Sequence, residues 1–119
     1  QNAWGLQGSE GSCINPFEQE LSALSALGID IVFAVGNSGS SGVSSFLTPA
    51  FDPHVIAVGA LNRDGSLWYE GSRGSDRCGN SVIPALVAPG EGIKAATLTY
   101  NGFDDDNAAI HHGTSFSSP

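Results

Sequence analysis

The chain has 119 residues, of which 40% are hydrophobic, and this length and composition are typical of one small globular domain. Twelve acidic residues against four basic ones give a net charge of −8, which argues against binding to nucleic acid or to an anionic membrane surface. No stretch approaches the roughly 20 consecutive apolar residues that a membrane-spanning helix needs.

The first predicted element is an amphipathic helix. Asn15 is a candidate cap, Pro16 takes the first helical position, and Glu18 stands where a capping-box carboxylate would. Apolar residues then recur at helical spacing, and a glycine suited to end the helix follows them: Phe17, Leu21, Leu24, Leu27 and then Gly28. This pattern predicts a helix with one buried face.

Two strands follow, at residues 29–35 and 55–61. Both are nearly continuous apolar runs, and only Asp30 interrupts the first. Such runs indicate burial on both faces, as in a parallel sheet covered by helices. We therefore predict an α/β fold, part of an open, mostly parallel sheet flanked by helices.

Shorter strands are predicted at residues 85–88 and 93–97. Residues 98–112 have the pattern of a hairpin with its tip near residues 104–107. The Ser- and Gly-rich residues 38–48 either line a pocket or form a mobile surface loop.

Two motifs carry the candidate chemistry. In residues 113–119 (GTSFSSP), Ser115 stands at a predicted helix start, where backbone N–H groups favour developing negative charge. In residues 36–39 (GNSG), Asn37 follows the end of a buried strand, where its amide is placed to donate to an oxyanion. The alternatives are a helix-capping serine and a turn asparagine. Together the motifs favour acyl transfer.

These motifs, with residues 56–60 (IAVGA) and 87–90 (VAPG) in the same order, resemble the subtilisin-like serine proteases, the subtilases. The resemblance covers most of the chain. It implies a serine endopeptidase that hydrolyses peptide bonds through an acyl-enzyme, with Ser115 as nucleophile and Asn37 in the oxyanion hole. The related sedolisins also have a Gly-Thr-Ser motif but use an aspartate as the oxyanion partner, so Asn37 favours the subtilases.

In this family the catalytic Asp and His precede the oxyanion asparagine. The resemblance therefore implies that both lie before Gln1, and we interpret residues 1–119 as a partial peptidase domain, truncated at both ends and inactive alone. His111 and His112 would trail behind the Ser115 hydroxyl on an extended strand. His54, after an Asp-Pro pair, is predicted to be a surface turn histidine.

Residues 1–5 (QNAWG) resemble the family's strand that pairs with the substrate backbone and walls its first pocket, although an alanine stands where the family often has serine. The wall residues implied by the resemblance are Ala3, Trp4 and Gly5 on one side and Ala34, Val35 and Gly36 on the other. Trp4 either shapes this pocket or packs in the core. The absence of charge at residues 34–36 predicts apolar or neutral side chains before the cut bond.

No cofactor is predicted, with a structural calcium ion as the alternative. Residues 104–106 (DDD) favour a solvated hairpin tip over an ion site, and the resemblance also raises weak cation binding by carbonyls of residues 50–55.

Cys13 and Cys78 either pair or remain buried thiols. Low lysine and high acidic content fit an extracellular, secreted protein. We expect a monomer that takes protein or peptide substrates, and the alternative is a non-catalytic subtilase homologue serving as an extracellular interaction or structural module.

Overall fold

The computed structural model describes residues 1–10, 12–74, 83–96 and 108–119. The regular elements are, in chain order, α1 (Glu18–Ala26), β1 (Ile31–Ala34), β2 (Val55–Leu61), β3 (Leu86–Pro89), β4 (Ile93–Ala96) and β5 (Ala108–His111). Two short 3-10 helices, Gly39–Ser41 and Thr114–Phe116, complete the set. In the described part of the chain, no helix has the length and apolar character needed to cross a bilayer.

Three strands form a parallel sheet in the order β1-β2-β3. Ile31 lies opposite Val55, and Val58 lies opposite Leu86, so the strands run in register with their carboxyl ends at one edge. The predicted open, mostly parallel α/β sheet is thus confirmed. The predicted bounds of the second strand are confirmed as well, and β1 and β3 differ from the prediction by one or two residues at each end.

β4 and β5 form a separate antiparallel pair, in which Ile93 lies opposite His111. Only β5 lies within the predicted hairpin of residues 98–112, and its partner β4 belongs to the separately predicted strand at residues 93–97. The first part of that predicted hairpin lies outside the described residues. Thr97 and the predicted tip at residues 104–107 lie outside the described residues. Cys13 is disulfide-bonded. Cys78, the other cysteine of the chain, lies outside the described residues.

The core lies between α1, the sheet and the loops around it. It consists of Leu21, Ile31, Phe33, Val35, Phe46, Ala50, Phe51, Ala57 and Ile83. Burying one large apolar side chain of this kind contributes about 1.5–3 kcal/mol. Because β1 supplies two of these residues and Val35 directly after it a third, the core fixes this strand and with it the segment that follows its carboxyl end.

The predicted helix start is wrong by two residues. α1 begins at Glu18, and the carbonyl oxygen of the Asn15 side chain accepts the N–H of Phe17 at 3.0 Å, ahead of the first helical residue. Asn15 therefore turns the chain into the helix and does not cap its first turn. The amide of Asn15 donates to the carboxylate of Asp52, which anchors the helix entry to the turn before β2.

The predicted apolar stripe is buried at one end only. Leu21 is 5% exposed, whereas Leu24 and Leu27 are 40% and 77% exposed. Gly28 ends the helix as predicted: its φ is +77°, and the N–H groups of residues 28 and 29 bond back to Ser25 and Leu24. Since residue 29 belongs to this helix end, β1 begins only at residue 31.

Candidate active site

A cavity of about 430 Å³ opens beyond the carboxyl end of β1. It is lined by Ala3, Trp4, Gly5, Gln7, Glu10, Ala34, Gly36, Asn37, Ser38, Leu47, Thr114 and Ser115. Both predicted catalytic residues and five of the six predicted wall residues are in this lining. Val35 is the exception. It is fully buried, because alternate residues of an extended strand face opposite sides and its side chain packs into the core.

Asn37 is tied directly to the segment that carries Ser115. The backbone N–H of Thr114 and its hydroxyl both donate to the side-chain oxygen Oδ1 of Asn37, each at 2.9 Å. Because a backbone N–H can only donate, this contact fixes which end of the amide is the oxygen. The Nδ2 group therefore points away from Thr114, and no partner for it is found among the described residues.

Thr114 also holds the backbone before Asn37. Its side chain is completely buried, and its hydroxyl oxygen accepts the N–H of Gly36 at 3.2 Å while donating to Asn37. One hydroxyl thus connects the main chain and the side chain of the candidate oxyanion loop. The Gly-Thr-Ser motif by itself does not indicate this role of Thr114.

Ser72 fixes the peptides on both sides of Asn37. It is buried, its N–H donates to the carbonyl of Gly36 at 2.9 Å, and its hydroxyl accepts the N–H of Ser38 at 2.9 Å. Gly39 follows, and a Cβ at this position would lie 2.2 Å from the carbonyl oxygen of residue 71, so only glycine fits. The loop is therefore held rigidly, as a preorganised donor requires.

Ser115 lies in the 3-10 helix Thr114–Phe116 and is half-buried in the cavity wall. Gly113 precedes this helix with a φ of +149°, a conformation that L side chains rarely adopt. Its N–H donates to the carbonyl of Gly90 at 2.8 Å. The predicted glycine turn into a helical start is thus present at Ser115.

Trp4 both lines the cavity and packs against the core. It is 49% exposed, and its ring makes edge-to-face contacts with Phe17 and Phe33 at centroid distances of 5.4 and 5.1 Å. Asn2 pairs with β1 through backbone bonds to residues 32 and 34, which places the two predicted walls side by side. Glu10 adds a carboxylate to the lining, and no motif in the sequence marks it.

None of the three histidines, all within the described residues, lines the cavity. The His111 ring stacks on Phe116 at 4.9 Å, and Nδ1 of His112 accepts the N–H of Gly92 at 3.2 Å. His54 lies in a turn, with Nδ1 2.9 Å from a carboxylate oxygen of Asp52. This arrangement agrees with the expectation that the chain's own histidines do not face Ser115.

The described residues contain no group of three His, Cys, Asp or Glu side chains that could hold a metal ion. Residues 104–106 lie outside them. A second cavity of about 340 Å³ adjoins residues 50–55, where Asp52 is the one acidic residue of the described lining. Both of its carboxylate oxygens already accept hydrogen bonds, from Asn15 and His54. The calcium site remains a prediction.

Comparison with known proteins gives concordant matches. The self-cleaved protease domain of PatA is 27% identical with a TM-score of 0.71, and the match covers 98% of this chain and 39% of that one. The PatG macrocyclase in complex with peptide is 22% identical with a TM-score of 0.72, over 98% and 30% of the two chains, and shows the fold alone. The chain thus spans only about a third of these structures.

A model of the subtilase family matches the chain from residue 1 to residue 119. This match covers the oxyanion candidate, the nucleophile candidate and the parallel sheet that brings them to one cavity. The chain therefore belongs to the subtilase family of serine proteases.

Proposed function

We propose that this chain is the nucleophile-bearing part of a serine endopeptidase domain, which cleaves peptide bonds through an acyl-enzyme. One observation carries the proposal: Oδ1 of Asn37 is locked by two 2.9 Å hydrogen bonds to Thr114, the residue before Ser115, and both Asn37 and Ser115 line one cavity. The side chain of Asn37 is thereby tied to the segment that carries Ser115.

In the proposed reaction, Oγ of Ser115 attacks the carbonyl carbon of the scissile peptide bond. The serine proton passes to a base histidine, which then donates it to the leaving amine, and water hydrolyses the resulting ester. Nδ2 of Asn37 donates to the oxyanion of each tetrahedral intermediate. The base histidine and its orienting aspartate are assigned to chain outside these 119 residues, following the family order. The 119 residues alone are expected to be inactive.

The fixed loop supports this assignment of Asn37. Thr114 holds its side chain, and Ser72 holds the peptides on both sides of it, so little reorganisation is needed when charge develops. In subtilisin itself, a member of this family, loss of the oxyanion asparagine lowers kcat by roughly 10²–10³-fold, and we adopt that known magnitude.

The proposal extends to localisation, partners and substrate class. The acidic composition and the scarcity of lysine support secretion, and the net charge of −8 disfavours nucleic acid and anionic membranes as partners. The open cavity beside Ser115 suits an extended protein or peptide segment as substrate. A monomer without a catalytic cofactor is sufficient for this chemistry.

The test uses the full-length protein and a fluorophosphonate probe, which labels an activated serine. We expect labelling of the wild type, none of Ser115→Ala, and full labelling of Ser40→Ala, an exposed serine outside the cavity. Asn37→Ala should lower kcat for a peptide by roughly 10²–10³-fold with little change in KM. Labelling that survives Ser115→Ala would overturn the proposal, and a folded wild type that neither labels nor cleaves would favour a non-catalytic module.

A further inference from the structure

We propose that Leu47 closes the floor of the cavity, so that the enzyme cleaves after small, uncharged residues such as glycine, alanine or serine. The inference rests on the proposed function, in which the side chain before the cut bond enters between the two cavity walls. It narrows the sequence-based expectation of any apolar or neutral residue to a size class.

Leu47 lies between the walls because hydrogen bonds tie its segment to both. Its N–H donates to the carbonyl of Val35 at 3.1 Å, on one wall. The carbonyl of the next residue, Thr48, accepts the N–H of Leu6 at 2.9 Å, and Leu6 directly follows the other wall. The segment therefore bridges the base of the gap between residues 3–5 and residues 34–36.

The isobutyl group of Leu47 occupies the space that two glycines leave open. A Cβ at Gly5 would lie 2.6 Å from Cβ of Leu47, and a Cβ at Gly36 would lie 2.9 Å from its Cγ and Cδ1. The leucine is thus in contact with the backbone of both walls. Glycines at these positions keep the gap between the two walls wide, and the side chain of Leu47 fills its inner end.

The backbone at Leu47 is held in place. Its neighbours Phe46 and Thr48 are both completely buried, and its own carbonyl accepts the N–H of Ala50 at 2.9 Å. Forcing a large side chain into a space that is already filled requires displaced rotamers or backbone. A pocket of this kind discriminates by roughly 10–200-fold for one methylene group.

The experiment compares kcat/KM of the full-length enzyme for two fluorogenic peptides that differ only in the residue before the cut bond, alanine or phenylalanine. The wild type should prefer alanine by at least roughly tenfold, and Leu47→Ala should reduce that preference by at least roughly tenfold through faster cleavage after phenylalanine. Leu24→Ala, the same substitution on the exposed side of α1, should leave the ratio unchanged. Both substrates are measured on one preparation, so the ratio does not depend on the fraction of folded enzyme.

Leu47→Val provides a milder second variant if Leu47→Ala does not fold, and it should shift the ratio in the same direction. A wild-type preference for phenylalanine, or an unchanged ratio in both active Leu47 variants, would overturn the inference and leave the role of Ser115 intact. Failure of the proposed function looks different: the folded wild type would cleave neither peptide and would not react with the fluorophosphonate probe.

Discussion

Replacing Thr114 with valine tests whether the buried hydroxyl holds the oxyanion donor in place. Valine has nearly the same shape but lacks the oxygen that accepts the N–H of Gly36 at 3.2 Å and donates to Asn37 at 2.9 Å. The backbone N–H of residue 114 still bonds to Oδ1 of Asn37. The substitution should therefore loosen the amide without releasing it.

The two lost contacts have different consequences. The N–H of Gly36 is left buried without a partner, which should lower the free energy of unfolding by about 1–3 kcal/mol. The lost bond to Asn37 contributes about 1 kcal/mol to holding the donor. If all of it acts in the transition state, kcat falls roughly fivefold with KM unchanged, far less than for loss of Asn37 itself.

The assay measures kcat and KM on one peptide together with the urea midpoint of unfolding. Asn15→Ala is the control, because it also removes a partner from a buried group, the carboxylate of Asp52, and neither residue lines the cavity. It should lower stability and spare kcat, whereas Thr114→Ser should restore kcat. In combination with Asn37→Ala, Thr114→Val should cause no further loss. Independent, multiplicative losses in that double variant would refute the reasoning.

Three other substitutions test the surroundings of the site. Gly39→Ala places a methyl group against the backbone of residues 69–71 and should cost about 1–3 kcal/mol of stability, measured by urea unfolding. Asp52→Ala leaves the amide of Asn15 without its partner and should cost about 1–3 kcal/mol, and a loss under about 0.5 kcal/mol would contradict this. Hydrogen bonds from the hydroxyl and the N–H of Ser66 hold the pKa of Asp64 below its usual range, so Ser66→Ala, which removes the hydroxyl, should raise that pKa in an NMR titration. Because a lowered carboxyl pKa stabilises the fold above the unfolded-state pKa, this contribution is lost as the pH falls through the folded-state pKa.

Much of the fold was predictable because its strands have local signals. β2 was predicted with its observed bounds, since residues 55–61 form an uninterrupted apolar run that suits burial on both faces. The burial of the helix α1 was harder to predict. The exposure of Leu24 and Leu27 depends on which part of the fold covers the last turn of α1, and helical spacing alone carries no information about that neighbour.

The candidate site was predictable only where a motif marks it. Asn37 and Ser115 stand in short patterns of glycine and hydroxyl residues, and the structure places both at one cavity. Thr114 bonds to a residue 78 positions away, and Ser72 bonds to one 34 positions away. Contacts at such separations leave no periodicity in the sequence. Leu47 cannot be identified from the sequence for the same reason, because an isolated leucine in a Ser-rich loop gives no sign of facing two glycines.

Gly36 connects the oxyanion donor with the floor of the cavity. Its N–H bonds to Thr114, its carbonyl accepts the N–H of Ser72, and its missing Cβ leaves room for Leu47, at a φ of +106° that favours glycine. Thr114 and Leu47 thus act on one residue, the first at its N–H and the second at its Cα. Changes at Thr114 should therefore appear in kcat for every substrate, and changes at Leu47 in the ratio between substrates. A disturbance at Gly36 itself should appear in both.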